Sequence, residues 1–289
     1  MILVTGATGN LGNLTVDFLL KKTKTDNVVV LARDGEKAKA LQQQKRVEAR
    51  IADYDDYAAL VKAFKGIDTL LLVSTMAMEN RFQQHVNAIT AAKENNVKHI
   101  VYTSLINASA EAKFLPGVDH FKTEEYLKQS GINFTIFRNT FYSEVAFHFL
   151  GDALQTGNWY YPAGNSKANF ASRVDMAEAI SNVLMDPSSH KNKTYEISTN
   201  PSYTFKEIAD IVSEVSRKQI TYIPIALDDM KKGMTGAGVP EQFVNLAASA
   251  VEAITTNQLI SSDNTLENLL KKKPITLKET IQQLLAANA

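Results

Sequence analysis

Three glycines among the first twelve residues have the spacing and the setting of a phosphate-binding turn. Gly6, Gly9 and Gly12 follow the short apolar run Ile2–Val4, and a helical pattern begins at Leu11. A strand that passes through a glycine-rich turn into a helix places a pyrophosphate at the helix N-terminus, where backbone N–H groups are free to bind it. The pattern predicts a dinucleotide site. The alternative is a glycine turn without a ligand.

The glycines of this turn have separate roles. Gly6 permits the tight turn, Gly9 lets the backbone approach a phosphate, and Gly12 lets the helix pack closely. The spacing is G-x-x-G-x-x-G rather than the commoner G-x-G-x-x-G. We expect the following residues of the turn to bind the cofactor: Gly6, Thr8, Gly9, Asn10, Leu11 and Gly12.

The residue that follows the second predicted strand distinguishes between the two nicotinamide cofactors. Arg33 lies two residues after the apolar run Val28–Leu31, and Lys37 follows one helical turn later. An acid at this position would bind the 2′-hydroxyl of NAD, whereas an arginine can pair with the 2′-phosphate of NADP. We therefore expect NADP(H), although the adjacent Asp34 leaves NAD open, and Arg33 as a surface residue is the alternative.

Polar residues also follow later strands at the ends that face the ligand crevice of such a sheet. Asp53 can accept a hydrogen bond from the adenine amino group, or it can cap the helix that follows. Ser74 and Thr75 end the fourth strand and Ser104 ends the fifth. We expect these three to neighbour the ribose and the nicotinamide; the alternative is that they are turn residues.

The composition is that of an ordinary globular protein. The 289 residues are 45% hydrophobic and 21% charged, and the 31 basic residues balance 31 acidic ones. No basic excess indicates nucleic-acid binding, and no apolar run reaches the length of a membrane span. The absence of cysteine excludes disulfides, thiolate metal sites and cysteine nucleophiles. We expect no metal and no nucleic-acid or membrane partner. Because the chain opens directly into a strand without a signal-peptide pattern, we expect a cytoplasmic protein. We expect it to be a monomer or a homodimer.

The elements that would position these residues alternate between strand and helix. Strands are predicted near residues 2–4, 28–31, 47–52, 69–74, 100–103 and 134–137, with helical patterns between them. Helices are predicted near residues 123–129 and 143–154 as well, and Thr204 with Glu207 indicates a capping box at the start of another helix. Such alternation is typical of a Rossmann-type α/β fold, with a doubly wound parallel sheet. We place an NADP-binding domain at residues 1–150. A smaller, mostly helical C-terminal lobe is expected at residues 151–289, with some segments returning to the sheet domain.

Several motifs together resemble the NmrA-like group of atypical short-chain dehydrogenases/reductases. They are Thr5–Gly12, Arg33, Asp53 and Arg138–Ser143. The similarity is greatest to the NADPH:quinone oxidoreductases of that group and to their triphenylmethane reductase relatives. Three later segments also resemble recurring parts of the group: Phe170–Glu178, Tyr195–Ser198 and Thr204–Ala209. The resemblance implies the fold, NADPH and a small aromatic acceptor such as a quinone.

The typical short-chain dehydrogenase has a Tyr-x-x-x-Lys pair that protonates the substrate oxygen. Alignment with the family helix places Pro116 at the tyrosine position and His120 at the lysine position. Tyr126 cannot replace the pair, because Ser130 lies four residues later. A quinone needs no positioned acid to accept hydride, so positioning can supply most of the catalysis. His120 would then orient the ribose or donate a hydrogen bond to the acceptor; the alternative is a histidine at a helix start with no role.

The segment after the sixth strand completes the expected site. Asn139 can hydrogen-bond the carboxamide or the acceptor, and Phe141 and Tyr142 can form an apolar wall against a flat ring. The leading hypothesis is an NADPH-dependent quinone reductase with His120 and Asn139 as catalytic residues. The alternative is an NADP(H)-binding redox sensor with little or no turnover. A sugar-nucleotide epimerase is disfavoured, because its chemistry needs the tyrosine that this chain lacks.

Overall fold

Short apolar runs of the sequence form the strands of a single large sheet. The structure is a computed structural model that describes residues 1–287. The strands are β1 Ile2–Val4, β2 Val28–Ala32, β3 Glu48–Ile51, β4 Thr69–Leu72, β5 His99–Leu105, β6 Asn133–Asn139, β7 Phe141–Tyr142, β8 Asn158–Tyr161, β9 Lys167–Ala168, β10 Phe170–Ala171, β11 Lys193–Ile197, β12 Tyr203–Thr204 and β13 Thr221–Pro224.

Helices follow most of these strands. They are α1 Asn10–Leu20, α2 Gly35–Lys45, α3 Tyr57–Ala63, α4 Arg81–Glu94, α5 Pro116–Gln129, α6 Ser143–His148, α7 Ala153–Thr156, α8 Arg173–Met185, α9 Phe205–Ser216, α10 Leu227–Gly236, α11 Glu241–Thr255, α12 Thr265–Leu270 and α13 Leu277–Ala287. Two short 3₁₀ helices lie at Thr25–Asn27 and Pro187–His190.

The large sheet has seven parallel strands in the order β11-β6-β5-β4-β1-β2-β3. The order reverses at β1 and β4, which pair with each other. In open α/β sheets this switch point opens a crevice at the carboxyl ends of the strands, where ligands bind. The predicted Rossmann-type fold is thereby confirmed.

Alternating residues of each strand feed two different hydrophobic layers. Val4 and Val30 pack on the face that carries α1 and α8. Leu3 and Leu31 pack on the opposite face, against α3 and α4. A strand that is buried on both faces has a continuous run of apolar residues. These strands could therefore be predicted from the sequence. The strand β3 lies at the sheet edge, and its Ile51 is 58% exposed.

The smaller lobe has a core of its own. Trp159, Phe170 and Phe205 are fully buried in it, and three two-stranded pairs join β7 to β10, β8 to β13 and β9 to β12. Segments after residue 150 also return to the sheet domain. The strand β11 pairs with β6, and α8 packs against α1. The division at residue 150 stays a prediction.

Two helical predictions are corrected by the structure. The helix expected across 143–154 is two helices, α6 and α7, because Gly151 between them has a φ of +54°, which a right-handed helix does not accommodate. The helix expected at 123–129 begins earlier, at Pro116. Proline is favoured in the first turn of a helix, where its missing N–H has no partner to lose. The signal was thus present in the sequence. Thr204 and Glu207 form the predicted capping box of α9.

Candidate cofactor and acceptor site

A cavity of about 780 Å³ opens at the carboxyl ends of the central strands. Of the residues predicted to bind a cofactor, Ser104 alone does not line it. The predicted residues in its wall are Gly6, Thr8, Gly9, Asn10, Leu11, Gly12, Arg33, Asp53, Ser74 and Thr75. Tyr142 also lines it, whereas His120, Asn139 and Phe141 do not. The structure therefore brings together residues from five separate segments of the chain.

The turn Gly6–Gly12 is so tight that side chains at its glycines would crowd neighbouring atoms. Gly6 has a φ of +58°, and the Gly9 N–H donates to its carbonyl over 2.9 Å. A Cβ at Gly12 would lie 2.4 Å from the Gly6 oxygen. No described side chain caps α1 at Gly9, so the first N–H groups of that helix remain available. This arrangement fits a phosphate group at the helix N-terminus.

Arg33 and Asp53 face each other at one end of the cavity. The Arg33 Nε lies 3.7 Å from the Asp53 carboxylate, and the Arg33 side chain is 83% exposed. The neighbouring Asp34 caps α2 by accepting from the Lys37 N–H over 2.8 Å. One oxygen of the Asp34 carboxylate is thus engaged by the helix, and Asp34 is not among the residues that line the cavity, whereas Arg33 is. The arrangement favours a 2′-phosphate near Arg33.

Asp53 does not serve as a helix cap. Its Oδ1 accepts from the Asp55 N–H over 3.0 Å, while Asp56 caps α3 by accepting from the Ala59 N–H. The alternative that Asp53 caps the helix is therefore wrong. One carboxylate oxygen of Asp53 faces Arg33 and the residue lies in the cavity wall, which is compatible with the predicted contact to an adenine amino group.

Tyr54 is a cavity residue that sequence reasoning missed. Its hydroxyl lies 2.6 Å from the Thr5 hydroxyl and 2.9 Å from the Val73 carbonyl oxygen. Thr5 in turn donates to the Leu71 carbonyl. Burial raises the pKa of the Tyr54 hydroxyl, so it stays protonated. Tyr54 thus fixes the two central strands β1 and β4 at the floor of the cavity.

The prediction for Ser104 is corrected. Its buried hydroxyl donates to Glu124 Oε1 over 2.6 Å instead of facing the cavity. The same Glu124 accepts two hydrogen bonds from Arg138, at 2.9 and 2.7 Å, and Arg138 also contacts Glu196 at 3.1 Å. These carboxylates raise the pKa of Arg138. These contacts connect α5 to β5, β6 and β11, and so they stabilise the strands that lie next to the site.

His120 is buried and contacts Tyr102 rather than the cavity. Its Nδ1 lies 2.7 Å from the Tyr102 hydroxyl, and the residue is 7% exposed. The same hydroxyl is 3.4 Å from Nδ1 of a second buried histidine, His85. We call these three residues the buried His–Tyr cluster. The placement of His120 differs from the predicted contact to a ribose or an acceptor, because burial on α5 points its ring toward β5.

Backbone groups fix the hydrogen-bond directions around His85. The Thr75 N–H donates to His85 Nε2 over 3.2 Å, so the ring hydrogen of neutral His85 resides on Nδ1. That nitrogen lies 2.9 Å from the Thr123 hydroxyl, which itself donates to the Asp119 carbonyl. Thr75 lines the cavity, so the buried His–Tyr cluster is joined to the cavity wall through one backbone amide.

Both histidines of the cluster are neutral at neutral pH. Burial, with a smaller contribution from the charge of Arg81, lowers the pKa of His85 to about 3. The pKa of His120 is also well below its ordinary range, through burial first and then His85 and Arg81. Burial disfavours the charged form of an imidazole, and a nearby cation adds to the effect. Neither ring is therefore poised to deliver a proton near pH 7.

Asn139 carries an amide that lacks partners. Its Nδ2 and Oδ1 are both buried without a hydrogen bond of full geometry among the described residues, although the amide lies near enough to the Tyr142 hydroxyl to favour the ionised form of that group; the Ser143 hydroxyl is also buried without a partner there. Buried polar groups without partners are costly and need an explanation. A ligand amide or carbonyl placed here would supply the missing partners, so Asn139 keeps its predicted role as a proposal.

Phe141 and Tyr142 point in opposite directions, because side chains alternate along a strand. They form β7, which pairs with β10. Tyr142 faces the cavity, whereas Phe141 packs in the lobe core with Phe114 and Phe149, at ring distances of 5.6 and 5.7 Å. The prediction that both rings line the acceptor wall is corrected for Phe141.

Arg173 is a second residue that sequence reasoning missed. It is the first residue of α8 and lines the cavity, with its guanidinium 4.6 Å from the centre of the Tyr142 ring. Met76 and Gln84 also line the cavity and were not predicted. Their positions on a loop and inside a helix gave no motif by which to find them.

Two further kinds of site are absent from the described residues, a membrane-spanning helix and a metal-binding cluster. No helix there is long and apolar enough to cross a bilayer. No group of three or more acidic, histidine or cysteine side chains in that part of the chain is arranged to hold a metal ion.

Comparisons of the sequence and of the structure with known proteins lead to the same group of proteins. The sequence profile of the NmrA-like family matches residues 1–281. The chain is 34% identical to quinone oxidoreductase 2 of Escherichia coli K12 over 288 residues, covering 100% of both chains. The NADPH complex of the E. coli NADPH-dependent quinone oxidoreductase superposes with a TM-score of 0.93 at 34% identity, covering 99% of this chain and 100% of that one. The NADP(H) complex of Citrobacter sp. triphenylmethane reductase gives 0.91 at 34% identity, covering 98% and 99%.

Proposed function

This chain belongs to the NmrA-like family, and from that premise we propose that it is an NADPH-dependent reductase that transfers hydride to a quinone or a similar small aromatic acceptor. The related proteins are oxidoreductases, and two of them were solved with NADPH or NADP(H) bound. The single observation that carries the proposal is the cavity, which is lined both by the glycine turn at the start of α1 and by the Tyr142 ring.

The residues of the cavity fit NADP(H). The turn Gly6–Gly12 would hold the diphosphate at the N-terminus of α1, which no described side chain caps. Arg33 would pair with the 2′-phosphate, which distinguishes NADPH from NADH. Asp53 would bind the adenine amino group, while Ser74 and Thr75 would lie beside the ribose and the nicotinamide. When bound, the reduced nicotinamide supplies a hydride to the acceptor.

The far side of the cavity would position the acceptor. The Tyr142 ring offers a flat face, and Met76, 87% exposed at the cavity wall, offers an adaptable apolar one. The buried amide of Asn139 would bind a carboxamide or a quinone oxygen. These groups would hold a planar ring in place and exclude water from its face. Positioning two reactants in this way can supply a large part of the decrease in the activation free energy.

No acid of the chain needs to protonate the acceptor in this mechanism. We infer that Pro116 and His120 take the positions of a Tyr-x-x-x-Lys pair; His120 is buried on α5, and burial lowers its pKa. A reduced quinone bears a phenolate-like oxygen of modest proton affinity, which solvent can protonate. We propose that His120 acts as a neutral positioning residue, which through Tyr102 supports the carboxyl ends of β4 and β5.

Steady-state oxidation of NADPH with a panel of quinones tests this function. We expect turnover with small quinones that depends on both substrates, and a much weaker rate with NADH. Tight NADPH binding without turnover on any acceptor would contradict the reductase and favour the redox sensor. Binding of neither NADPH nor NADH would contradict both.

A further inference from the structure

Arg173 lines the same cavity as the phosphate turn, although it is far from the turn in sequence. It begins α8, and Asn10 begins α1; both residues line the same cavity. The two helices also pack against each other. Two packed helices whose first residues face one cavity must both start there. The Arg173 side chain and the N-terminus of α1 therefore border the same cavity.

The charge of Arg173 has no carboxylate partner among the described ion pairs. The nearby Glu144 carboxylate accepts instead from the Arg173 backbone N–H, at 3.1 and 3.3 Å. The guanidinium stacks on the Tyr142 ring. A stacked guanidinium keeps the N–H donors at its edge free, and these match the oxygens of a phosphate.

Arg33 and Arg173 are the two basic residues in the described lining of the cavity. Arg33 lies beside Asp53, at the end that would receive the 2′-phosphate. The glycine turn offers backbone N–H groups but no cation. A dinucleotide diphosphate would thus meet a neutral cradle unless a second cation reached it. Arg173 is the one basic residue of that lining that remains for this task.

We propose that Arg173 is the cationic ligand of the cofactor diphosphate, on the side of its nicotinamide half. The inference rests on the proposed function, because it assigns a residue to the same cavity. Since the guanidinium also lies on Tyr142, diphosphate binding would hold the ring against which the acceptor packs. Arg173 would therefore contribute equally to NADPH and NADH, whereas Arg33 would contribute to NADPH alone.

Calorimetric titration of three probes into the full-length protein tests this division. The probes are NADPH, NADH and adenosine 2′-monophosphate, which has the 2′-phosphate but no diphosphate. The variants are Arg173→Met, which removes the charge, Arg173→Lys, which keeps it, and Arg33→Met as the matched control. A charge-assisted contact predicts that Arg173→Met weakens NADPH and NADH alike by about 10-fold or more. Adenosine 2′-monophosphate should bind to Arg173→Met with the same affinity as to the wild type. Arg173→Lys should recover part of the lost dinucleotide affinity.

Arg33→Met should show the reverse pattern, with NADPH and adenosine 2′-monophosphate weakened and NADH nearly unchanged. Unchanged binding of both dinucleotides to Arg173→Met would overturn the inference. An equal loss for all three probes would also overturn it, since that pattern indicates a misfolded site. If wild-type protein binds NADPH but reduces no quinone, while Arg173→Met still shows the diphosphate-specific loss, the inference is supported and the proposed function fails.

Discussion

The two ends of the cavity differ in how the chain builds them. The turn end consists of Gly6–Gly12, Arg33 and Asp53, which follow the first three strands in order. The far end consists of Tyr142 and Arg173, and the buried Asn139 precedes Tyr142 by three residues. All of these residues come from the end of the sixth strand or later. The turn end depends on backbone geometry that a few neighbouring residues encode. The far end depends on contacts between segments that are distant in sequence.

This difference predicts that single changes at the turn end have the larger effect. At the turn end the backbone itself would bind the cofactor. A side chain added at one of the glycines would therefore displace the binding groups directly. At the far end, contacts are made by side chains, and each contributes one part of a shared surface.

The largest effect is expected from Gly12→Ala. Its Cβ would lie 2.4 Å from the Gly6 backbone oxygen, so either the turn or the start of α1 must shift. Overpacking of this kind predicts a loss of NADPH affinity of about 100-fold, measured by calorimetry. The matched control is Gly233→Ala in α10, where a Cβ meets nothing within 4 Å. Full NADPH affinity in Gly12→Ala would contradict the role of the turn.

Arg33→Ala tests the specificity of the turn end. Because a charge-assisted pair with the 2′-phosphate is lost, NADPH affinity should fall by about 10- to 100-fold, while NADH affinity stays within about 2-fold. Calorimetric Kd values for both cofactors provide the measurement. Equal losses for the two cofactors would show that Arg33 does not bind a 2′-phosphate.

Tyr102→Phe tests the buried His–Tyr cluster. The change removes the 2.7 Å hydrogen bond to His120 Nδ1 and leaves that buried nitrogen without its partner. The free energy of unfolding should decrease by about 1 to 3 kcal/mol, while NADPH affinity changes little, since Tyr102 does not line the cavity. Urea denaturation and NADPH titration of the same sample measure both. A larger loss of affinity than of stability would place the cluster in the binding site.

The neutral histidines predict the pH dependence of stability. Their folded-state pKa values lie below the unfolded value near 6.5, with His85 at about 3. The unfolded chain therefore binds protons that the native state does not, so stability falls as pH decreases below about 6.5. Each such histidine adds a slope of about 1.4 kcal/mol per pH unit between the two pKa values. Urea denaturation from pH 7 to pH 4 should show a smaller slope for His85→Asn than for the wild type; an unchanged slope would show that His85 is charged in the native state.

The same contrast explains what the sequence allowed one to predict. Gly6, Gly9 and Gly12 were identified because a strand, a glycine turn and a helix start are local signals, and Arg33 because a strand end has a defined position in the sheet. His120 lies outside the helix predicted at 123–129, and its surroundings were not predicted, since the contact with Tyr102 joins two elements. Arg173 lies within the family-like segment Phe170–Glu178, but that resemblance assigned it no site role, because the packing of α8 on α1 brings it to the cavity.

Ser104 and Phe141 show the limit of predictions from strand ends. Both lie where the strand-end rule places ligand-binding residues, but each side chain faces away from the cavity. The hydroxyl of Ser104 is bound by Glu124, and the ring of Phe141 belongs to the lobe core. Which way a residue points at the end of a strand depends on register and on partners from other elements. Neither is encoded in the neighbouring residues.

The central claim is that placement of a flat acceptor beside the reduced cofactor, without a protein acid, drives the reaction. Single-turnover oxidation of NADPH deuterated at nicotinamide C4, mixed with enzyme and 1,4-benzoquinone from pH 6 to 8, tests it most directly. The account predicts direct transfer of the hydride with a primary isotope effect, at a rate that varies less than about 2-fold over this range. A rate that follows the titration of one group, and is lost in His120→Gln, would contradict it.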